Sequence, residues 1–322
     1  MRTFVLRRLL QLIPLLLGIS ALTFLVMKLA PGEFVDQVAE DPTVSPARIE
    51  AVRRQFGLDR PLWVQYGLYL GNVARGNFGE SFARHQPVFD VLREGLGNTL
   101  LLAGAAALVT WGLAIPLGIL AAVRQHRATD RITSFVAFLG LSVPEVLSGL
   151  LLLLLAARTG WFPVGGMRSM DWEDLDFLGR GLDIARHLVL PAFVVGLTPL
   201  ASRMRQMRGS LLEVLRLDYV TTARAKGLDE GQVVFKHALR NALNPMITLF
   251  GYTLGALVSG SFVAEVIFAW PGLGRITIQA LQSHDQYLVL GAVLMASTVL
   301  VLGNLVSDLL LAVADPRIRH DA

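Results

Sequence analysis

Six apolar stretches, each long enough to cross a bilayer as a helix, constrain this chain more than any other feature. An α-helix rises about 1.5 Å per residue, so roughly 20 apolar residues cross the hydrocarbon layer. The 322 residues are 53% hydrophobic and only 17% charged, whereas soluble domains carry about 25% charged residues. We therefore predict an all-α membrane protein with six transmembrane helices, at Leu9–Leu29, Thr99–Val123, Ile132–Ala157, Leu188–Met204, Met246–Phe268 and Leu288–Val313.

Pro116, Pro144, Pro191 and Pro199 lie within the second, third and fourth of these stretches, and Arg203 also interrupts the fourth. Packed neighbouring helices can satisfy the backbone groups that a proline frees, so the prolines predict kinks rather than breaks. The first apolar run is longer than the roughly 7–15 residues of a signal peptide. We interpret it as a retained helix.

The distribution of charge predicts the orientation. With six spans both termini lie on one side, and the termini and loops of that side hold 16 basic and 7 acidic residues, against 12 and 15 on the other. Cytoplasmic loops carry the excess of Lys and Arg, so we predict N-in/C-in. The expected organisation is a tail and first helix (1–30), an external helical loop (31–94), a five-helix core with a cytoplasmic loop at 202–243 (95–314), and a cytoplasmic tail (315–322).

Two external segments have more than one interpretation. The first loop predicts a helix over Ala47–Phe56 and another over Pro61–Ala74, with an apolar face of Leu62, Trp63, Tyr66, Leu70 and Val73. This loop is either a cap that packs on the bundle or a docking surface for an external partner. The acidic segment Trp161–Arg186 is either a solvated loop or a lip that attracts cationic solute.

Several kinds of chemistry have no sequence signal here. The chain has no cysteine and its six histidines are scattered, so no metal site is predicted. It has no G-x-x-x-x-G-K-[ST] loop for ATP phosphates. The basic charge lies beside membrane spans, which argues against nucleic acid. An intramembrane enzyme and an autonomous secondary transporter or channel are the alternatives, but neither facing catalytic groups nor an internal repeat is visible.

The predicted cytoplasmic loop carries the most specific pattern. Leu211–Ala225 predicts a helix that Gly227 ends, and Asp229 caps a second helix running from Glu230 to Ala242. Small residues around the break would let a partner approach closely, while Arg224 and its neighbour Lys226 could reach acidic groups. The alternative is a basic helix lying on anionic lipid, which would present large apolar residues instead.

The loop reads Asp218-Tyr-Val-Thr-Thr-Ala-Arg-Ala-Lys-Gly227, then His237-Ala-Leu-Arg-Asn-Ala-Leu243. This sequence resembles the EAA motif of binding-protein-dependent ABC importer permeases. Thr221 stands in place of the motif's Glu and Arg240 in place of its final Pro, departures that resemble the oligopeptide/dipeptide branch. Weaker matches cover almost the whole chain, among them Trp161-Phe-Pro-Val-Gly165, Trp270-Pro-Gly-Leu-Gly274 and Asp315-Pro-Arg-Ile-Arg319.

The resemblance implies a type I ABC importer permease in a bacterial or archaeal inner membrane, without catalytic residues or a cofactor of its own. Its implied partners are a second homologous permease in a heterodimer, two ATPase subunits that bind ATP and Mg²⁺, and an extracytoplasmic solute-binding protein. The solute would be a peptide or, alternatively, a nickel chelate, glutathione or a sugar. The implied ATPase-coupling residues are Tyr219, Thr221, Thr222, Ala223, Arg224, Ala225, Lys226, Gly227, His237 and Arg240.

Three carboxylates lie within or near the predicted spans: Glu145, Glu265 and Asp308. A charge in hydrocarbon costs about 2.5–3.5 kcal/mol on insertion scales, so each needs a partner, water or a function. Glu145, with Pro144 and Ser142, is the candidate for the substrate pathway, where it could contact a cationic group. The alternative is a carboxyl bonded to a neighbouring helix or facing water. We expect the other two carboxylates to be structural.

Overall fold

The computed structural model describes residues 2–29, 47, 50 and 59–314, apart from the side chains of residues 2–9, 248, 251–252, 254–260 and 307–314. The described residues form helices joined by short turns, and the β contact among them is an isolated bridge between Glu80 and Pro87. The helices are α1 (Arg2–Leu29), α2 (Leu62–Val73), α3 (Val88–Val123), α4 (Ala128–Ser142), α5 (Glu145–Thr159), α6 (Phe177–Val214), α7 (Asp218–Ala225), α8 (230–242), α9 (Asn244–Ile267), α10 (Leu273–Gln282) and α11 (Gln286–Ala314). Helix α8 is α-helical over Glu230–Gln232 and Leu239–Ala242 and π-helical over Val233–Ala238.

Within the described residues, four helices are long and apolar enough to cross a membrane, and a fifth candidate is the bent pair α4–α5. The four are Leu10–Leu29, Val88–Val123, Phe177–Val214 and Gln286–Val306. They coincide with the predicted first, second, fourth and sixth spans. The predicted span Met246–Phe268 coincides with α9, but most side chains in the middle of that helix lie outside the described ones. Four or five spans are therefore supported by length and composition.

The prediction of one continuous helix over Ile132–Ala157 is wrong. The chain breaks at Val143 and Pro144, and α4 and α5 meet at an angle of 104°. Proline cannot donate a backbone hydrogen bond, and it disfavours the α conformation of the residue before it. Val143 is accordingly extended, with φ −90° and ψ 122°. Pro116, in contrast, remains inside the continuous helix α3.

The prediction of a loop over Trp161–Arg186 is wrong for its second half. Helix α6 begins at Phe177, because Asp176 caps it by accepting a hydrogen bond of 2.7 Å from the N–H of Gly179. The helix then continues to Val214. The predicted fourth span is thus the middle of a longer helix.

The predicted cytoplasmic helix Leu211–Ala225 is also wrong as a single element. Helix α6 ends at Val214 and α7 begins at Asp218. Leu217 between them is extended, with φ −74° and ψ 147°, so the helical hydrogen bonds cannot continue through it. Asp218 then lies in the first turn of α7, where a helix dipole favours negative charge.

The chain divides into two compact units, of which the first comprises Met1–Asn98 and Pro271–Val299. Its core is an apolar cluster that includes Leu92, Leu273 and Leu288. Asp285 is fully buried and accepts hydrogen bonds from the Ser81 hydroxyl at 2.5 Å and from the N–H of Leu288 at 3.1 Å. This carboxylate therefore ties the turn before α3 to the first turn of α11.

The second predicted external helix is confirmed as α2, but its buried side differs from the prediction. Leu62 and Trp63, both assigned to the apolar face, are exposed, whereas Tyr69 is buried. The first predicted external helix, Ala47–Phe56, lies almost entirely outside the described residues.

The second unit comprises Thr99–Trp270 and Leu300–Ala322, and α6 lies at its centre. Helices pack closely there because small residues lie at the contacts. A Cβ atom at Gly118 of α3 would lie 2.7 Å from Cβ of Met207 of α6. Arg208, the next residue of α6, donates two hydrogen bonds, of 2.7 and 2.9 Å, to buried Asp130 near the start of α4.

The carboxylate of Glu265 is buried in this unit and bonded between two helices, which agrees with the structural role expected for it. It accepts hydrogen bonds from Thr99 of α3 at 2.7 Å and from Ser261 of its own helix at 3.0 Å. Asp308 belongs to the residues whose side chains lie outside the description.

Candidate functional site

The most specific sequence pattern folds as two short helices that pack against the end of α6; we call residues 218–242 the α7–α8 segment. Val220 and Ala223 of α7 are buried in the same apolar cluster as Val233 and Ala238 of α8 and Leu211 of α6. One face of each short helix is therefore fixed to the second unit. The opposite face is left to solvent.

Gly227 ends α7, as predicted. Its φ is +78°, a left-handed conformation that glycine adopts without the steric penalty of other residues, and its N–H donates to the Arg224 carbonyl at 2.9 Å. Asp229 caps α8, also as predicted, because its carboxylate accepts a hydrogen bond of 2.9 Å from the N–H of Gly231. The turn between the helices is thus defined by the chain's own residues.

Two side-chain contacts bridge this turn. Arg224 donates to both carboxylate oxygens of Glu230, with Nη2–Oε1 at 2.6 Å and Nε–Oε2 at 3.1 Å. The hydrogen bond from Arg224 stabilises the charged carboxylate and lowers the pKa of Glu230. Asn241 donates to the Tyr219 hydroxyl at 2.7 Å. Arg224, which the sequence predicted would reach a partner's acidic groups, is thus engaged within its own segment.

The middle of α8 contains a feature that the sequence interpretation missed. Over Val233–Ala238 the helix widens to π geometry, and the N–H of Leu239 donates to the carbonyl of Val234. Single π turns occur frequently at functional sites. Phe235 on this turn is 65% exposed. The sequence feature that could have indicated an irregular helix is the run Val233-Val234-Phe235, because three consecutive residues cannot all be buried on one face of an α-helix.

The predicted coupling residues all lie on the α7–α8 segment, but they differ in exposure. Ala223 is only 7% exposed, so it contributes to the packing of α7 rather than to the solvent-facing side. His237 is half-buried. The exposed members are Tyr219, Thr221, Thr222, Arg224, Ala225, Lys226, Gly227 and Arg240.

The predicted substrate-pathway residues lie together at the break between α4 and α5. Ser142 ends α4 and its hydroxyl donates to the Phe138 carbonyl at 2.8 Å. Pro144 occupies the break, and Glu145 begins α5. Oε1 of Glu145 is buried and has no hydrogen-bond partner among the described residues. Within the same described part of the chain, no three His, Asp or Glu residues come together as metal ligands would.

Comparison with known proteins covers nearly the whole chain. Residues 1–103 match the N-terminal family of binding-protein-dependent transport system membrane components, and residues 114–320 match the family of binding-protein-dependent transport system inner membrane components. The oligopeptide transport system permease protein AppB of Bacillus subtilis (strain 168) is 40% identical over 322 residues, covering 99% of this chain and 100% of the relative. The dipeptide transport system permease protein DppB of Escherichia coli (strain K12) is 39% identical over 338 residues, covering 99% of each.

Among solved structures, the chain is similar to a chain of the inward-facing MetNI methionine ABC transporter. The TM-score is 0.54 at 20% sequence identity, and the match covers 70% of this chain and 96% of the other. This likeness concerns the fold. Taken with the family matches and the full-length relatives, it shows that the chain belongs to the family of binding-protein-dependent transport system inner membrane components and has the all-α fold of type I ABC importer permeases.

Proposed function

We propose that this chain is the permease subunit of an ATP-driven importer of peptides and forms half of the translocation pathway. The two relatives named above match over their full length and are named as oligopeptide and dipeptide permeases. The structural observation that carries the proposal is the α7–α8 segment, a solvent-facing ridge whose other face is buried against α6. In this assignment ATP and Mg²⁺ belong to partner subunits.

The α7–α8 segment is the proposed docking site for an ATPase subunit. The small exposed side chains of Thr221, Thr222 and Ala225 allow close approach of a groove in the partner. Lys226 supplies positive charge and Phe235 an exposed aromatic ring. Aromatic residues are enriched at protein interfaces, where they bury much area.

Movement would pass from the segment to the membrane helices through packing. Val220 and Ala223 are held in the same cluster as Leu211 of α6, and α6 continues as a candidate span. A displacement of the docked segment would therefore move α6 with it, as in a hinge or shear transition. The shared cluster would keep α7 and α8 together during this movement, and the exposed Arg224–Glu230 pair would add a smaller contribution.

The proposed assembly has two ATPase subunits, a second homologous permease in a heterodimer, and a solute-binding protein outside. The proposed topology has six spans with both termini in the cytoplasm, supported by the 16 basic and 7 acidic residues of the inner segments. This topology puts the α7–α8 segment in the cytoplasm, where ATP is available.

Thr222→Trp tests the docking site. Thr222 is exposed, so the added ring would obstruct the partner without entering the core. We expect the variant to reach the membrane but to lose the ATPase on affinity purification and to lose ATP-driven uptake. Phe177→Trp, at the exposed start of α6, is the matched control and should retain both. Normal uptake by Thr222→Trp would refute the docking site, and solute transport by this chain alone in liposomes would refute the importer.

A further inference from the structure

Glu145 lies on the side of α5 that faces other helices. Residues at spacings of four and eleven share one face of an α-helix, so Gly149 and Ala156 lie on the same side as Glu145. Ala156 is buried, and a Cβ atom at Gly149 would lie 3.1 Å from Ile267 of α9. The opposite side of α5 is apolar and exposed, at Val146, Leu147, Leu150, Leu151 and Leu154. The carboxylate thus lies on the interior side of the helix rather than the lipid side.

Glu145 is half-buried, and one oxygen of its carboxylate lacks the hydrogen-bond donor that a buried oxygen requires. Its Oε1 atom is buried without a hydrogen-bond partner among the described residues. Glu265, a buried carboxylate of the same unit, accepts from the hydroxyls of Thr99 and Ser261. An intramembrane acid without a partner is costly and is a functional-site hypothesis by default. Oε1 of Glu145 can therefore accept a hydrogen bond from a donor outside the described residues.

The local backbone favours a negative charge at this position. Glu145 lies in the first turn of α5, where the helix dipole stabilises a carboxylate. Pro144 before it provides no side-chain cap to that turn. Interrupted helices of this kind form the solute and ion sites of several transporters, because a break lets polar groups face the pathway. The break and the charged residue thus occur at the same place.

Resting on the proposed function, we propose that Glu145 receives a protonated amine of the transported solute during translocation. The amine is either the N-terminal ammonium of a peptide or a basic side chain. An ammonium group has three donors and no acceptor, so it fits an oxygen that lacks a donor. The charge-assisted hydrogen bond would be stronger than a neutral one.

The test uses the complete transporter in proteoliposomes, with both permeases, the ATPase subunits and the binding protein. Three probes of equal length are compared at equal measured occupancy of the binding protein. They are a peptide containing norleucine, the same peptide with lysine instead, and the norleucine peptide without its N-terminal amine. Glu145→Gln should lower uptake of the amine-bearing probes about tenfold or more, and leave the des-amino probe nearly unchanged. Loss confined to the lysine probe would assign the contact to the side chain.

Three outcomes would overturn the inference. An equal loss for all three probes would mean that Glu145 is structural, as we expect for the control Glu265→Gln. Loss of the second permease from purified Glu145→Gln would mean that the missing donor is a subunit rather than the solute. Uptake of none of the probes by the wild-type complex would refute the proposed function itself, and this inference with it.

Discussion

Replacing Gly227 by alanine tests the backbone of the turn between α7 and α8. The question is whether its conformation, and not only its surface, is needed for the proposed coupling to an ATPase subunit. The φ of Gly227 is +78°, where L-residues are strained. A Cβ atom at this position would meet no other atom within 4 Å. The substitution therefore changes the conformational preference of one residue without creating a clash.

Gly227→Ala should destabilise the closed α7–α8 turn by about 1 kcal/mol. A left-handed conformation costs a residue with a Cβ atom about 1–2 kcal/mol. Alanine also restricts the unfolded chain more than glycine does, which offsets about 0.4–1 kcal/mol. The net effect raises the population of the opened turn roughly fivefold. Asparagine enters the left-handed region more readily than other residues, so Gly227→Asn should recover most of the loss.

Hydrogen exchange measured on the intact protein gives the direct readout. Backbone amides of residues 228–242 should exchange roughly fivefold faster in Gly227→Ala than in the wild type, while those of α3 should not change. ATP-driven uptake should fall in the order wild type, Gly227→Asn, Gly227→Ala. Gly104→Ala is the control, because Gly104 lies in α3 with no atom within 4 Å of its Cβ position and without a positive φ.

Two results would refute this reasoning. If the alanine and asparagine variants exchange alike, the left-handed conformation is not the cause of the effect. If Gly227→Ala matches the wild type in exchange but loses uptake, the position acts through contact with the ATPase and not through the turn.

Contacts within the second unit give three further predictions. Asp130→Asn removes the carboxylate that Arg208 holds at 2.7 Å, so it should cost about 2 kcal/mol or more and lower the melting temperature; an unchanged temperature would contradict the buried pair. Glu230→Gln should destabilise the α7–α8 segment by less than about 1 kcal/mol at pH 7, because Arg224 and Glu230 are both exposed. Hydrogen exchange in the segment should become correspondingly faster. The folded state lowers the pKa of Glu230. The stabilisation by the pair is therefore present when the pH is above the unfolded pKa of about 4.3, and it is lost as the pH falls through the lower folded pKa. A difference in exchange between Glu230→Gln and the wild type that persists below that pH would argue against the pair. Gly118→Ala places a Cβ atom 2.7 Å from α6 and should cost about 1–3 kcal/mol in thermal unfolding, and a neutral result would show that the helices separate easily.

Apolar length and local capping rules predicted much of the fold. Hydropathy located the spanning helices because each must satisfy its own backbone in lipid. Gly227 and Asp229 were read correctly because left-handed turns and N-caps depend on one or two adjacent residues. Such signals can be recognised without knowing which residues are neighbours in the folded structure.

The errors arose where neighbours decide the outcome. Pro116 and Pro144 look alike in sequence, yet α3 continues through the first while the second separates α4 from α5. Whether packed helices compensate a proline cannot be read from local composition. The pairing of Arg224 with Glu230 crosses a turn whose geometry has to be known first. The break that places Glu145 was missed for the same reason.

The widened turn in α8 has a consequence for helical phase. In a regular α-helix, Val233 and Ala238 would project about 140° apart, because each residue turns the chain by about 100°. A turn closed by hydrogen bonds between residues five apart carries one extra residue, so both positions return to the same side. The extra residue lets Val233, Ala238 and Ala242 all meet the core while Phe235 points away from it. A chain one residue shorter here would rotate one end of α8 relative to the other, so the register of the whole proposed docking surface depends on that single residue.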